Sequence, residues 1–459
     1  MRAAVVRGMV PQPNNFSLSA AQSSNRRRCG WRRRWSARSV SGVRSGAADN
    51  NPCAAIISSR TLRAPLAPPA LSNVSASAPA NPPADAPMRL LVTGATGFLG
   101  GAIVAELVAS TYWPNTRLLV RASDRRQGVE RVRGALTRFE VDPALLERVT
   151  EEQIILGDFR DVEGLFADPA NLAQLRAITH VINGAAIATF SNHPQLWPIN
   201  VEGTFNFAKK LSETARLVRF VHIGTAMCVG PDAPVPVPED YTPPDTIRHL
   251  VPYTETKVVI EQRFKRELPD LPLVQARPTI VVGHSKLGTR PSTSIYWVFR
   301  TAQLLEKFTC ALTDRIDVVP VDWTAQTLIA LALKPALKHH FYHLSAGPQA
   351  ASTFAELDVA MAKGRGVAPL GPKYQQVTYE ELAAMRGEYQ ARLGPCNPRI
   401  MQRAIKLYGV FAALNITFRN DHLIDEGIPP PPPFAEYADV CAATAESSTI
   451  AEQMVADFK

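Results

Sequence analysis

The fold is decided by the stretch Arg89-Leu90-Leu91-Val92-Thr93-Gly94-Ala95-Thr96-Gly97-Phe98-Leu99-Gly100, where an apolar run leads directly into glycines spaced GxxGxxG. Residues 101–107 continue it with a helical pattern. A strand without polar alternation is covered on both faces, as strands of parallel sheets are. Gly94 would make the tight turn, Gly97 would let backbone N–H groups approach a pyrophosphate, and Gly100 would let the helix pack on the strand. This order of strand, glycine turn and helix predicts a dinucleotide-binding site.

The loop residues are the first predicted cofactor contacts, and they are Thr93, Gly94, Thr96, Gly97, Phe98, Leu99 and Gly100. The next predicted strand, residues 117–120, ends at Arg121. In this fold an acid at the end of the second strand usually binds the adenosine ribose and selects NAD, whereas arginine can hydrogen-bond a 2′-phosphate. Arg121 therefore favours NADP(H), and the alternative is a solvated arginine at a strand end.

Residues 153–158 and 180–186 have the patterns of a third and a fourth strand. Asp158, at the end of the third, could accept a hydrogen bond from the adenine amino group, and the alternative is a polar residue on a turn. The fourth ends in small residues, which would let the backbone pass close to the cofactor. Further predicted cofactor contacts at these two strand ends are Asp158, Phe159, Asn183 and Ala185.

The candidate catalytic residues follow a fifth strand pattern, residues 219–226, which contains Thr225. Tyr253 and Lys257 lie in a helical pattern at i and i+4, so they share one helix face. A lysine ammonium beside a phenol lowers the tyrosine pKa, and Tyr253 could then act as general acid–base near neutral pH. Lys257 would also hydrogen-bond the nicotinamide ribose, and Thr225 would hold the substrate oxygen.

These motifs together resemble the extended short-chain dehydrogenase/reductase superfamily, and the likeness covers nearly all of residues 88–347. The resemblance implies a hydroxyl–tyrosine–lysine triad at Thr225, Tyr253 and Lys257, with threonine where serine is commoner. It also implies that Asn200 ties a water-mediated proton relay to the lysine. The resemblance adds four cofactor contacts: Tyr253, Lys257, Pro278 and Thr279.

Two strings within this region, residues 119–122 and 277–288, resemble thioester reductases and fatty acyl-CoA reductases, the male-sterility-type branch of the superfamily. The function implied is NADPH-dependent reduction of an acyl thioester to an aldehyde. Two alternatives stay open: a nucleotide-sugar epimerase or dehydratase or other carbonyl reductase, and a redox-inert dinucleotide sensor. Apolar stretches at residues 295–299 and 407–418 suit a greasy chain better than a sugar diphosphate, although arginines are also present beyond residue 288.

The charge of the chain, +9 over 459 residues, comes from its first 87 residues, which hold 12 Arg, no Lys and two acids. We expect this basic tail to be disordered. It resembles a transit peptide, but it could equally bind nucleic acid or anionic lipid, or lie upstream of a natural start at Met88. The remainder has 38 bases and 39 acids, so it shows no nucleic-acid footprint. No uncharged apolar run reaches the roughly 18 residues that span a bilayer.

The predicted fold class is α/β, a doubly wound parallel (Rossmann) sheet with a smaller, mostly helical C-terminal region. We expect an NADP-binding domain over residues 88–288 and a substrate-binding region over residues 289–459, of which 318–347 return to the sheet. Scattered cysteines without CxxC argue against a zinc site and favour a reducing compartment, so no metal is expected. The expected location is cytoplasmic, or an organelle if the tail directs import, and a homodimer is one possible assembly. The proline-rich residues 231–244 are either an active-site lid or an inert connection.

Overall fold

The computed structural model of the protein describes residues 87–455 apart from residues 245 and 294. The predicted disordered tail, except for its last residue, lies outside the described residues. The strands are β1 (Leu90–Thr93), β2 (Thr116–Val120), β3 (Ile154–Leu156), β4 (His180–Asn183), β5 (Arg219–Ile223), β6 (Leu273–Pro278), β7 (Ile280–Val281), β8 (Lys307–Phe308), β9 (Arg315–Ile316), β10 (Val318–Val319), β11 (Phe341–Leu344), β12 (Ser352–Thr353) and β13 (Gln375–Gln376).

The first helix begins directly after the glycine loop, and helices follow one another more closely towards the C-terminus. They are α1 (Phe98–Ala109), α2 (Arg125–Leu136), α3 (Pro143–Leu146), α4 (Val162–Ala167), α5 (Pro169–Leu175), α6 (Thr204–Thr214), α7 (Pro252–Glu267), α8 (Tyr296–Leu305), α9 (Val321–Leu333), α10 (Gly347–Ala350), α11 (Phe354–Arg365), α12 (Tyr379–Ala384), α13 (Tyr389–Leu393), α14 (Pro398–Ala412), α15 (Asp421–Asp425), α16 (Phe434–Ala445) and α17 (Ile450–Val455). None of the helices in the described ranges is long and apolar enough to cross a membrane.

Seven strands form one sheet in the order β11-β6-β5-β4-β1-β2-β3, and every neighbouring pair is parallel. The chain winds outward in both directions from β1, so the topological switch point lies between β1 and β4. In sheets of this kind ligands bind in the crevice at that point, outside the carboxyl ends of the strands. The predicted doubly wound parallel sheet is therefore confirmed.

The apolar run of β1 is buried on both faces, as its lack of alternation predicted. Leu90 and Val92 belong to the core beneath α1 and α9, whereas Leu91 belongs to the core on the opposite face, with Phe207 of α6 and Phe264 of α7. Because successive strand side chains point to opposite faces, a single apolar strand contributes to two cores. Both faces of the sheet are thereby covered with helices.

The C-terminal region is mostly helical and has two apolar cores of its own. One joins α8 to α12, α13, α14 and α17, and the other joins α8 to α11 and α16. The chain returns to the sheet in between, where β11 closes its edge beside β6, while β10 pairs with β7 in a separate two-stranded sheet. The C-terminal helices are thus placed beside the carboxyl edge of β6.

A buried ion pair joins α7 to the sheet. Arg277 Nη2 of β6 lies 2.5 Å from Glu261 Oε2 of α7, and the two side chains are only 5% and 4% exposed. Arg277 Nε adds a hydrogen bond of 3.1 Å to the same oxygen. Removing one partner of a buried pair leaves an uncompensated charge in the interior, which costs far more than the loss of a surface pair.

We expect Arg277→Leu to lower the free energy of unfolding by about 3–5 kcal/mol, because it leaves the Glu261 carboxylate buried without its cation. Denaturant unfolding of the full chain measures this. The matched control is Arg392→Leu, which removes the exposed pair with Glu388 and should cost less than about 1 kcal/mol. Equal losses for the two variants would contradict a structural role for the buried pair.

Candidate active site

The glycine turn lies at the switch point, and its geometry suits a bound pyrophosphate. Gly94 has φ +73°, and a Cβ there would lie 2.7 Å from the carbonyl oxygen of Gly184, which follows β4. α1 begins directly after the turn, with Gly97 as an N-cap that supplies no side chain to the first N–H groups. These groups and the positive end of the helix dipole form an anion-binding site. The residues present therefore fit a dinucleotide phosphate.

Arg121 and Asp158, the two charged residues predicted at the adenosine end, differ in whether they already form a salt bridge. Arg121 is exposed after β2, and within the described part of the chain no acid pairs with its guanidinium. Asp158 instead binds Arg160, with 2.9 Å to Nε and 2.6 Å to Nη2. Burial opposes ionisation of Asp158, but the hydrogen bonds from Arg160 outweigh it and lower the pKa of the carboxyl. A contact between Asp158 and adenine would have to share the carboxylate with Arg160.

The carboxyl end of β5 lies near all three candidate catalytic residues, Thr225, Tyr253 and Lys257. Thr225 caps a short 3-10 turn, where its Oγ1 accepts a hydrogen bond of 3.3 Å from the Met227 N–H. Lys257 is buried, and its Nζ donates to the Ile223 carbonyl oxygen at the end of β5, 2.7 Å away. Nζ lies 5.9 Å from the centre of the Tyr253 ring, and Tyr253 itself is half-buried. Lys257 thus lies close to Tyr253 and to the end of β5, the strand after which Thr225 comes.

The predicted lowering of the Tyr253 pKa was wrong, because the pKa is raised. Burial raises the pKa of the Tyr253 phenol above its ordinary value. Burial also lowers the pKa of Lys257 to about 8, against the opposing influence of Glu261. Sequence spacing indicates which side chains are neighbours, but it does not show that both are buried, and burial opposes the charged form of each. The phenol is therefore firmly protonated in the protein without ligands.

Asn200 lies in a π-helical turn, Pro198–Gly203, just before α6. Its Oδ1 accepts a hydrogen bond of 2.8 Å from the Ile187 N–H, and its Nδ2 donates to the Ile187 carbonyl oxygen at 3.0 Å. A longer contact of 3.3 Å reaches Thr256 Oγ1, beside Lys257. The side chain therefore anchors the segment that follows β4, and it does not contact Lys257 directly.

Several residues predicted to contact the cofactor have side chains that pack on, or hydrogen-bond to, other residues of the protein. Phe98 stacks on Phe139 at 6.4 Å between ring centres, and Phe159 stacks on Phe207 at 4.8 Å. Thr279 Oγ1 donates to the buried Asp317 carboxylate at 3.0 Å. Any contact of these residues with a cofactor would be made by their backbone. The predicted contacts Ala185, Leu99 and Pro278 have no polar side-chain atoms and are limited in the same way.

The proline-rich segment 231–244 is fixed at its middle. The Val237 N–H donates to the Thr417 carbonyl oxygen at 2.9 Å, and Val237 O accepts from the Arg419 N–H at the same distance. The buried carboxylate of Glu239 accepts hydrogen bonds from the N–H groups of His343 and His422. These contacts favour the inert connection over a lid for this part of the loop.

A narrow apolar slot lies between the two C-terminal cores. Its volume is about 830 Å³, counting its open side. Residues from eight separate parts of the chain contribute to its walls, among them Phe190, Met227, Ile280, Val298, Phe299, Ala302, Phe308, Phe354, Tyr408 and Phe411. The slot suits a thin hydrocarbon chain and offers almost nothing to a polar ligand.

The slot adjoins the triad. Met227, which lines it, donates its N–H to Thr225, and Ile280, which also lines it, directly follows Thr279. The two apolar stretches noted in the sequence both contribute, since Val298 of α8 and Phe411 of α14 are wall residues. Phe190 was not predicted as a site residue. It stacks on Tyr408 at 4.6 Å, and the residues next to it in the chain give no sign of this contact.

The chain resembles parts of larger peptide synthetases and reductases. It is 25% identical over 336 residues to the non-canonical nonribosomal peptide synthetase FrzA of Cladobotryum sp., a match that covers 69% of this chain and 31% of that protein. It is 24% identical over 352 residues to the aldehyde reductase lnaA of Aspergillus flavus, covering 70% and 32% respectively. The chain thus spans about a third of the length of these relatives.

Among solved structures, the fold resembles the terminal R domain from the myxalamid PKS-NRPS biosynthetic pathway. The TM-score is 0.64 at 19% identity, and the match covers 82% of this chain and 92% of that one. A family model of NAD-binding domains described as "Male sterility protein" matches residues 92–328, which is more than half of the chain. The chain therefore belongs to the male sterility protein family, a nicotinamide-dinucleotide-binding branch of the extended short-chain dehydrogenase/reductase superfamily.

Proposed function

We propose that the protein reduces an acyl thioester to an aldehyde, with NADPH as the hydride donor. The observation that carries this proposal is the apolar slot that begins beside Thr225. A thioester whose carbonyl lies between Thr225 and Tyr253 could extend its acyl chain past Met227 into the slot. The reductase names of the relatives support the same class of reaction.

The residues around the carbonyl suit the reductive direction. Bound NADPH would supply a hydride to the thioester carbon. The hydroxyls of Thr225 and Tyr253 would hydrogen-bond the carbonyl oxygen and stabilise the negative charge that develops on it. Tyr253 then gives its proton to that oxygen, and the resulting hemithioacetal loses the thiol to leave the aldehyde. The buried phenol carries its proton before the hydride arrives, and the oxygen that gains negative charge is the base that takes it.

Lys257 would orient the cofactor and support the phenol. Its ammonium already donates to the Ile223 carbonyl oxygen, which holds Nζ at the end of β5 where the nicotinamide ribose would lie. A positive charge at this position also favours the phenolate that remains after proton transfer. We assign no proton-transfer step to Asn200, whose side chain stabilises the segment after β4.

The selection of NADPH over NADH rests on Arg121. This arginine is exposed at the carboxyl end of β2, the strand end that lies beside the adenosine ribose in such folds. A planar guanidinium without an acidic partner can bind a 2′-phosphate through two parallel hydrogen bonds. Asp158 is not a competing ribose acceptor, because Arg160 neutralises it.

The two alternatives fit the site less well. A nucleotide sugar needs polar and cationic groups around its sugar and diphosphate, and the slot beside the triad is lined almost entirely by apolar atoms. A redox-inert sensor would have no use for a tyrosine and a lysine placed beside a hydroxyl at the nicotinamide end. We therefore favour the reductase, and its turnover distinguishes the three functions.

We expect the purified protein to oxidise NADPH when it is given a medium- or long-chain acyl thioester, because the acyl chain fills the slot. Thiol release, followed with a thiol reagent, should match NADPH consumption mole for mole until aldehyde accumulates. Conversion of a nucleotide sugar without net use of cofactor and without thiol release would refute the proposal. Binding of NADPH without any turnover would instead indicate the sensor.

The role of the slot has its own test in the same assay. Ala302→Phe narrows the slot, so it should reduce kcat/KM for a dodecanoyl thioester by about tenfold or more, the cost of losing a few buried methylene contacts. A butyryl thioester, which reaches less far, should be affected much less. Ala330→Phe, at a half-buried alanine of α9 away from the slot, is the matched control.

Tyr253→Phe should lower kcat by a factor of about 10²–10⁴, the usual contribution of general acid–base catalysis. The variant removes one oxygen from a half-buried ring, so NADPH binding, measured by fluorescence, should be retained. Retained turnover would show that another group delivers the proton.

Arg121→Asp should weaken NADPH binding by at least about tenfold relative to NADH, since the variant loses a charge-assisted contact and adds a repulsion. Dissociation constants of both cofactors give the result. Arg126→Asp changes the net charge equally on a side chain that is directed to solvent and pairs with Glu130, so it serves as the control. Equal losses for NADPH and NADH would remove the basis for choosing NADPH.

A further inference from the structure

Four polar side chains form a buried row across the middle of the sheet. The strand registers pair Thr93 with Asn183, Asn183 with His222 and His222 with Gln275. Residues paired in register on parallel strands point to the same face, so the four side chains lie side by side. Their exposures are 0, 1, 2 and 4%. Polar groups buried this deeply are costly unless they are hydrogen-bonded.

The first three members form a hydrogen-bonded chain whose direction is determined at its Thr93 end. The N–H groups of Gly184 and Ala185 can only donate, and both donate to Thr93 Oγ1, at 3.1 and 3.0 Å. The hydroxyl has one proton, which goes to Asn183 Oδ1 at 2.7 Å. The amide group of Asn183 must then direct its NH₂ toward His222 Nδ1, 3.2 Å away.

This chain of bonds determines the state of His222. Since Asn183 donates to Nδ1, that nitrogen must be an acceptor, and the imidazole is neutral with its proton on Nε2. Burial lowers the pKa of His222 well below its ordinary range, and the charges of Lys257 and Arg277 lower it further. The ring of Phe264 packs edge-on at 5.3 Å. The surroundings therefore preserve the neutral form.

The same chain ends at the cofactor crevice. Thr93 fixes the backbone of Gly184 and Ala185 against the β1 turn, where a Cβ on Gly94 would already collide with Gly184. These two backbone segments line the crevice at the switch point, where the dinucleotide would bind. The hydrogen bonds that fix these segments thus extend to an acceptor three side chains away, at Nδ1 of His222.

We propose that His222 is a positioning residue for the nicotinamide dinucleotide: its neutral imidazole orients Asn183 and Thr93, and through them the backbone at Gly184 and Ala185. The imidazole makes no contact with the cofactor. Its Nε2 has no hydrogen-bond partner among the described residues, a cost that an apolar residue would avoid. The part played by Nδ1 gives a reason for a buried imidazole between Val221 and Ile223 of this strand.

The test compares two substitutions that differ in one acceptor. His222→Leu removes Nδ1 and leaves the Asn183 amide free to turn, so NADPH should bind about tenfold more weakly, the worth of one buried hydrogen bond. His222→Asn places its Oδ1 close to the position of Nδ1, and its NADPH dissociation constant should stay within about twofold of the parent protein. Gln275→Leu changes the next residue of the row, outside the hydrogen-bonded chain, and should leave binding unchanged.

Fluorescence titration of the full chain with NADPH gives these constants without reference to any substrate. At saturating NADPH the kcat of His222→Leu should equal that of the parent, so the effect falls on the cofactor KM. Equal affinities for the Leu and Asn variants would overturn the proposal. If the Leu variant does not fold, nitrogen-15 NMR of the parent decides, since protonated Nδ1 on His222 would also overturn it. Failure of the thioester assay would not affect either measurement, because NADPH binding and the protonation of His222 are both observed without a substrate.

Discussion

The arrangement of the site depends on the buried ion pair between Glu261 and Arg277. It holds α7, which carries Tyr253 and Lys257, against the carboxyl end of the sheet. The helix comes so close at this point that a Cβ on Gly224 would lie 2.3 Å from Glu261 Oε1. Glu261 is one turn beyond Lys257, so the pair positions the lysine whose Nζ reaches the end of β5. Without it the helix that carries Tyr253 and Lys257 would lose its hydrogen bonds to Arg277 of β6.

The site divides into a polar part and an apolar part, built by different portions of the fold. The parallel sheet supplies the polar part, since its strands end together at one edge and expose backbone groups and short side chains there. The C-terminal helices supply the slot, because helices packed around side chains of unequal size leave a gap between two small cores. Met227 joins the two parts, since its N–H donates to the capping Thr225 Oγ1 and the residue also lines the slot.

The sequence allowed the prediction of features that depend on residues close together in the chain. The glycine turn after β1, the Tyr253–Lys257 spacing and the apolar strands are local patterns, and they gave the fold class and the family correctly. The contacts that escaped prediction link distant positions, such as Asn200 with Ile187 or Phe190 with Tyr408. His222 left a faint signal as a polar residue between Val221 and Ile223, but the register that pairs it with Asn183 is visible only in the sheet.

The error over the pKa of Tyr253 has a physical lesson about the direction of the reaction. Proximity of a lysine favours the phenolate only if the charge of the lysine is itself maintained, and burial here works against both charged groups. A phenol that keeps its proton cannot take one from an alcohol, but it has a proton to give to an oxygen that gains negative charge. Hydride arriving at a thioester carbon creates such an oxygen, and its charge lowers the cost of removing the proton. The dry site that raises the pKa of Tyr253 in the free protein therefore suits the reductive direction.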